Sequence, residues 1–92
     1  MKENFEVVVF NVKLEDDGLY TATSPNLTGI CVVHRDRDRI VEDMPNIVRL
    51  WYRRNRGIEV ETFLGTRRDL DGTSVYPIMT TPAEVAARAV AR

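Results

Sequence analysis

Apolar and polar residues alternate at the start of the chain, which is typical of a β-strand with one buried face. Residues 5–14 are rich in β-branched and aromatic side chains, and the polar residues Asn11 and Lys13 separate apolar positions. The acidic turn that follows ends in Asp17-Gly18, a strong hairpin signal. Because so short a connection cannot form a parallel crossover, residues 19–23 are predicted to return as an antiparallel strand.

A loop and a third strand come next, before the spacing of apolar residues changes to that of a helix. Residues 24–29 contain proline, asparagine and glycine, which favour a loop, and residues 30–33 are a short apolar run. This run contains the only cysteine, Cys31, which we expect to be buried as a small apolar side chain. From residue 40 the spacing becomes helical, with one apolar stripe made of Ile40, Val41, Met44, Ile47, Val48 and Trp51.

The ends of this helix carry capping signals. We expect a helix over residues 38–55, with Asp36 or Asp38 as the N-cap and Gly57 as the C-terminal stop. Pro45 lies inside it and lacks the backbone donor that a helix interior uses. The pattern therefore predicts a helix that is broken or bent at Met44–Pro45.

After this helix, the sequence predicts shorter elements. Residues 58–64 alternate and are predicted to form a fourth strand, whereas residues 65–74 are polar and are predicted to be a mobile loop. Residues 75–79 favour a short edge strand, because Pro77 is compatible only with an edge. Residues 81–92 begin with a capping box and a proline, so they predict a short C-terminal helix.

Taken in order, these elements predict an α+β fold. A small antiparallel sheet in the order β-β-β-α-β is covered by one helix, and a short C-terminal helix follows. The 92 residues suit one domain, with residues 1–64 as its α/β part and residues 65–92 as a loop and helix that extend it.

Composition and charge limit the partners and the cellular location that we expect for this protein. The net charge of −1 gives no overall field that would attract nucleic acid or an anionic membrane. No apolar run approaches the roughly 18–20 residues that cross a bilayer, and the N-terminus does not resemble a signal peptide. With a single cysteine, a disulfide within the chain is excluded, and we expect a cytoplasmic protein.

Candidate chemistry is sparse. His34 and Cys31 are the only histidine and cysteine, too few for a zinc site without distant carboxylates. His34 beside two aspartates is a candidate general base, but a solvated position in a charged turn explains it. The carboxylates that might hold magnesium have structural roles in a hairpin turn or at a helix entry: Asp16, Asp17, Asp36 and Asp38. We therefore predict no enzyme, no catalytic residues, no metal and no cofactor.

The end of the helix is the best candidate for binding, because aromatic and arginine side chains together are typical of interaction hot spots. Trp51 is expected in the core and Tyr52 at its margin. The candidate partner-binding residues are Arg49, Tyr52, Arg53, Arg54 and Arg56. If residues 67–68 folded back onto this cluster, the arginines would make one basic patch and a weak nucleic-acid signal.

The order of elements resembles the HicB-like antitoxin superfamily, within a poorly characterised side branch. The resemblance covers residues 5–64 and rests on the Tyr20-Thr21-Ala22 strand, on Pro25-x-Leu27-x-Gly29, and on the strand and helix that follow. It implies a degenerate ribonuclease-H-like fold, usually in homo-oligomers, that binds a small partner protein such as a toxin that cleaves messenger RNA. Residues 65–92 lack an obvious helix-turn-helix, so the DNA binding that antitoxins often add is doubtful here.

Three classes of function remain open from sequence. The first is a protein-binding module of the bacterial antitoxin type. The second is a nuclease or other enzyme on the ribonuclease-H-like core, which would need converging carboxylates. The third is a nucleic-acid-binding protein that uses the arginine patch, beside a purely oligomeric or ligand-binding role.

Overall fold

The structure, a computed structural model, describes residues 5–83 as an antiparallel sheet with one helix on one of its faces. The helix lies between the third and fourth of the six strands in chain order. The elements are β1 (Glu6–Leu14), β2 (Tyr20–Thr23), β3 (Cys31–His34), α1 (Arg37–Arg56), β4 (Val60–Leu64), β5 (Arg68–Leu70) and β6 (Thr73–Pro82). The predicted α+β class with one covering helix is confirmed.

The strands lie in the order β3-β2-β1-β6-β4, and β5 also pairs with β6. All five pairings are antiparallel. One edge of the sheet is therefore β3 alone, while β4 and β5 share the other edge. The centre is formed by β1 and β6, which come from opposite ends of the chain.

The core lies between the sheet and α1. Alternate residues of β1 point toward the helix and are buried: Val8, Phe10 and Val12. The helix contributes one buried residue every fourth position, namely Ile40, Met44, Val48 and Tyr52. The apolar stripe of the helix thus packs against the sheet, as the spacing predicts.

Both ends of α1 follow their local signals. The Asp36 carboxylate accepts a hydrogen bond from the Asp38 backbone N–H at 3.0 Å, so Asp36 is the N-cap. Gly57 ends the helix with φ of 65°, a left-handed conformation that suits glycine, and its N–H donates to the Arg53 carbonyl.

Of the two predicted alternatives at Pro45, the break is wrong, because α1 is one element through that residue, and the bend stays a prediction. A proline inside a helix costs about 3 kcal/mol. Met44 and Val48 on either side of it are fully buried, and each such side chain contributes about 1.5–3 kcal/mol. Packing on both sides of the proline therefore outweighs its local cost.

The predicted loop over residues 65–74 is wrong from residue 68 on, because β5 and the start of β6 form a hairpin there. Its turn is Asp71-Gly72, and both residues have positive φ, 50° and 80°. This is the conformation that a two-residue hairpin turn requires, and it favours Asp-Gly. The same dipeptide predicts the β1–β2 turn correctly, so the signal was present in the sequence.

The predicted edge strand with Pro77 is instead the long central strand β6. Pro77 lies opposite Val9, and its carbonyl accepts a hydrogen bond from the Gly65 N–H at 2.7 Å on the other side. In an antiparallel strand the N and C=O of one residue point the same way. The proline nitrogen therefore faces the gap between β4 and β5, where no ladder bond is needed.

The predicted C-terminal helix begins where the sheet still continues, since Thr81 and Pro82 belong to β6. The remainder of that prediction, residues 84–92, lies outside the described residues. Within the described range, α1 lacks the apolar content that crossing a membrane would require.

Candidate functional site

Two adjacent aromatic residues near the end of α1 turn to different sides, and the expectation for each is wrong. Tyr52, expected at the margin, is only 2% exposed, whereas Trp51, expected in the core, is half-buried. Successive helical residues point about 100° apart, so only one of the two can face the sheet. The buried residues of the helix lie four positions apart, and Tyr52 belongs to this series, so Tyr52 is the one that faces the sheet.

On the Tyr52 side, the polar groups bond to one another. The Tyr52 hydroxyl donates to the Glu6 carboxylate at 2.5 Å, and the Arg56 guanidinium donates to both oxygens of that carboxylate at 3.1 Å. Thr80 completes the group, with its hydroxyl 3.4 Å from that of Tyr52. These residues line a cavity of about 170 Å³.

The titration of this cluster follows its hydrogen bonds. The bond from Tyr52, and after it the bond from Arg56, lowers the pKa of Glu6 below its usual value. Burial, and then the bond to Glu6, raises the pKa of Tyr52. The cluster thus holds an ionised carboxylate against a neutral phenol, and it joins the start of β1 to the end of α1.

Most of the predicted partner-binding arginines are engaged within the molecule. Arg49 bonds to Thr62 and Asn46, and Arg53 pairs with Glu59 at 2.8 Å. Arg56 bonds to Glu6 and lies over the rings of Tyr52 and Trp51, 5.1 and 5.9 Å from their centroids. Arg54 is the member of the predicted set that lines the open groove described below.

The arginines that could extend the cluster into one basic patch, Arg67 and Arg68, lie at the start of the β5–β6 hairpin. The pKa of Arg67 is raised mainly by the Tyr76 hydroxyl and then by the charge of Asp69. Arg67 pairs with Asp69 at 3.4 Å, whereas Arg53 pairs with Glu59 just before β4. Each of these arginines is therefore paired locally, and no ion pair joins the two groups within the described residues.

On the Trp51 side, α1 and the edge of the sheet enclose an open groove of about 320 Å³. Its lining is mostly apolar, and Leu50 is 43% exposed there. The helix supplies Ile47, Leu50, Trp51, Arg54 and Asn55, and the opposite wall is residues 28–32. We call this the edge groove.

The loop before β3 builds the second wall of the edge groove. Its Thr28 carbonyl accepts a hydrogen bond from the Trp51 indole N–H at 3.0 Å, which fixes the ring. Leu27 is buried in the core, and the Asn26 side chain accepts the Val9 backbone N–H at 2.7 Å. The Pro-x-Leu-x-Gly segment therefore contacts β1, the core and the tryptophan, and it links the three.

Cys31 is exposed, which corrects the expectation of a buried thiol. The strand β3 is the edge of the sheet, and Cys31 points to the face opposite α1, together with Val33. A short apolar run can form an edge strand as well as a buried one, and periodicity alone does not separate the two.

The polar residues considered for catalysis have structural roles. His34 accepts the Asp36 backbone N–H on its Nδ1 at 2.9 Å, and Asp36 caps the helix. Asp17 accepts the Leu19 N–H at 3.0 Å within the hairpin turn. Over residues 5–83, no group of three or more histidine, cysteine or acidic side chains is placed to hold a metal ion.

Sequence reasoning missed the helix face that lines the edge groove, although a signal existed. Ile47, Leu50, Trp51 and Arg54 follow the i, i+3, i+4, i+7 spacing of a second helical stripe. Leu50 had no place in the core stripe, and an apolar residue left over in this way marks a second contact face.

The sequence matches no family model, no curated protein and no solved structure.

Proposed function

We propose that this protein is a protein-binding module of the antitoxin type, and that the edge groove is where it holds a small partner protein. The observation that carries the proposal is an open, mostly apolar groove beside an indole ring held by a hydrogen bond to Thr28. The resemblance of residues 5–64 to the HicB-like superfamily, which is a prediction from the sequence, supports the antitoxin proposal, in which the partner is a toxin.

The composition of the groove suits a protein partner. Trp51 is a rigid aromatic surface, Leu50 is an exposed aliphatic side chain, and Arg54 is a cation at the rim. Tryptophan and arginine are enriched among residues that dominate binding energy. Complete burial of the remaining exposed surface of Leu50 contributes about 1 kcal/mol by itself.

The alternatives have less support from the described residues. A nuclease needs converging carboxylates, and Asp17 and Asp36 serve the turn and the cap instead. A nucleic-acid surface built on the arginines would need a continuous patch, and Arg53 and Arg56 are neutralised by Glu59 and Glu6. The protein-binding proposal uses apolar surface that remains open to solvent in the folded chain.

The test is a titration with the product of the neighbouring gene, the natural candidate for a partner. Trp51 is the only tryptophan, so its fluorescence reports directly on the groove. We expect Leu50→Glu to weaken binding at least thirtyfold, because a charge replaces a buried contact.

The matched control is Leu70→Glu, since Leu70 is a more exposed leucine on β5, away from the groove. It should bind like the unchanged protein. Equal affinity of all three proteins would show that the groove is not the binding site, and no binding by any of them would remove that gene product as the partner.

A further inference from the structure

We infer that the edge groove receives its partner as an extended strand, which pairs with the free backbone edge of β3 and places alternate apolar side chains in the groove. This inference rests on the proposed function and deepens it by naming the partner's conformation and chemistry. Strand addition beside a helix is a known mode of peptide recognition.

The first step is to establish which backbone groups of β2 are used by β1. The Glu15 N–H donates to the Leu19 carbonyl at 2.8 Å, so this pair at the hairpin turn is hydrogen-bonded. Bonded and non-bonded pairs alternate along an antiparallel ladder. The odd-numbered residues of β2 therefore bond to β1, and the even-numbered Tyr20 and Ala22 bond to β3.

The second step identifies the free groups of β3. Tyr20 and Ala22 lie opposite His34 and Val32, so these two residues of β3 bond inward. The N–H and C=O groups of Cys31 and Val33 then point out of the sheet. β3 pairs with β2 alone among the described strands, which leaves four outward backbone groups for a further strand.

Within its four residues, the edge of β3 carries no acidic or basic side chain and no proline. Exposed edges are commonly guarded by charges, proline or a bulge within the strand. The sequence of β3 is Cys-Val-Val-His, and Val33 is 52% exposed. The opposite edge is divided between β4 and β5, which carry the charged residues Glu61 and Arg68, so the two edges differ in charge.

The side-chain geometry defines the partner's pattern. Alternate side chains of an added strand would project to the α1 face, beside Val32, and enter the groove between this residue, Leu50 and Trp51. Arg54 at the groove favours a carboxylate on the same segment. The partner segment is therefore about four to six residues long, with alternating apolar side chains and one acidic group.

The test uses hexapeptides from a displayed random library, selected on the intact protein and counter-selected on Leu50→Glu. The best peptide is synthesised with N-methyl groups at either the odd or the even positions. We expect one set to weaken binding about tenfold or more, because it removes donors to β3, and the other set to change it less than twofold.

The protein offers a matched pair for the same question. Val33→Pro removes an outward N–H without touching the ladder to β2, and proline is tolerated at an edge. We expect about a tenfold loss of peptide affinity, whereas Val33→Ala, which keeps the N–H and shortens a side chain on the other face, binds normally. Should Val33→Pro fail to fold, the N-methyl comparison on the unchanged protein decides the question.

The outcomes separate the two proposals. If Leu50→Glu abolishes binding while neither N-methylation nor Val33→Pro has an effect, the strand inference is overturned and the groove remains the binding site. If, in the partner titration, Val33→Pro weakens binding while Leu50→Glu has no effect, the groove proposal fails and edge pairing stands. A library that yields no peptide dependent on Leu50 overturns the strand inference, while the partner titration judges the groove.

Discussion

The two sides of the second half of α1 are built from similar residues and differ in what their polar groups do. On the Tyr52 side, a phenol, a carboxylate and a guanidinium bond to one another around a small cavity. On the Trp51 side, the indole is fixed by one backbone carbonyl and its apolar surface is left open. Arg56 lies between them, over both rings.

This difference teaches how to separate structural from binding residues on one helix. A cluster whose donors and acceptors are all used internally offers little to a ligand, even if it contains charged groups. A groove with exposed apolar surface next to unpaired backbone offers a great deal. Of the arginines that point to binding in the sequence, Arg53 and Arg56 are paired within the fold, whereas Arg54 lines the edge groove.

The largest expected effect is the loss of stability when one of the two aromatic rings is removed. Tyr52→Ala should lower the free energy of unfolding by about 3–5 kcal/mol, because it leaves a cavity in the core. Trp51→Ala should lower it by only about 1–2 kcal/mol, since much of the ring already contacts solvent.

Urea denaturation followed by circular dichroism measures both, because Trp51→Ala has no tryptophan signal. A greater loss for Trp51→Ala than for Tyr52→Ala would contradict the assignment of Tyr52 to the core and Trp51 to the groove.

A smaller effect isolates the hydroxyl of Tyr52. Tyr52→Phe keeps the ring and removes the donor to Glu6, so we expect a loss of about 1–2 kcal/mol in the free energy of unfolding. Tyr20→Phe is the control, because Tyr20 is also partly buried at the sheet, and the described residues include no hydrogen bond from its hydroxyl. Equal losses in the two variants would mean that the bond to Glu6 contributes nothing specific.

The smallest expected effect is a pH dependence that the same bond produces. Because the pKa of Glu6 is lowered on folding, its contribution to stability is present above the unfolded value near 4.5 and is lost as the pH falls through the lower folded value. Glu6→Gln should therefore cost about 1 kcal/mol or less near neutral pH, and the difference should shrink in acid.

Thermal or urea unfolding of both proteins between neutral pH and about pH 3 checks this expectation. In a Tyr52→Phe background the pH-dependent difference should be smaller, since the Tyr52 bond is the first cause of the shift. A difference that stays constant with pH would show that Glu6 acts only through packing.

Local signals in the sequence determined much of the fold. Asp17-Gly18 makes a hairpin turn, Asp36 caps α1, and Gly57 ends it, because each acts through backbone geometry within a few residues. The apolar period of four in α1 fixed a covering helix. Asp71-Gly72 shows that the same local rule would have given the second hairpin.

Tertiary structure alone decided where these elements lie and what they expose. β1 pairs with β6, nearly the full chain away, so Pro77 could enter a central strand only because a gap between β4 and β5 faces its nitrogen. Likewise, rotation of α1 on the sheet decided that Tyr52 is buried and Trp51 lines the edge groove. The spacing of apolar residues predicts the buried face of an element only to within one residue. Long-range packing decides which residue is buried, because most of the burial energy comes from that packing.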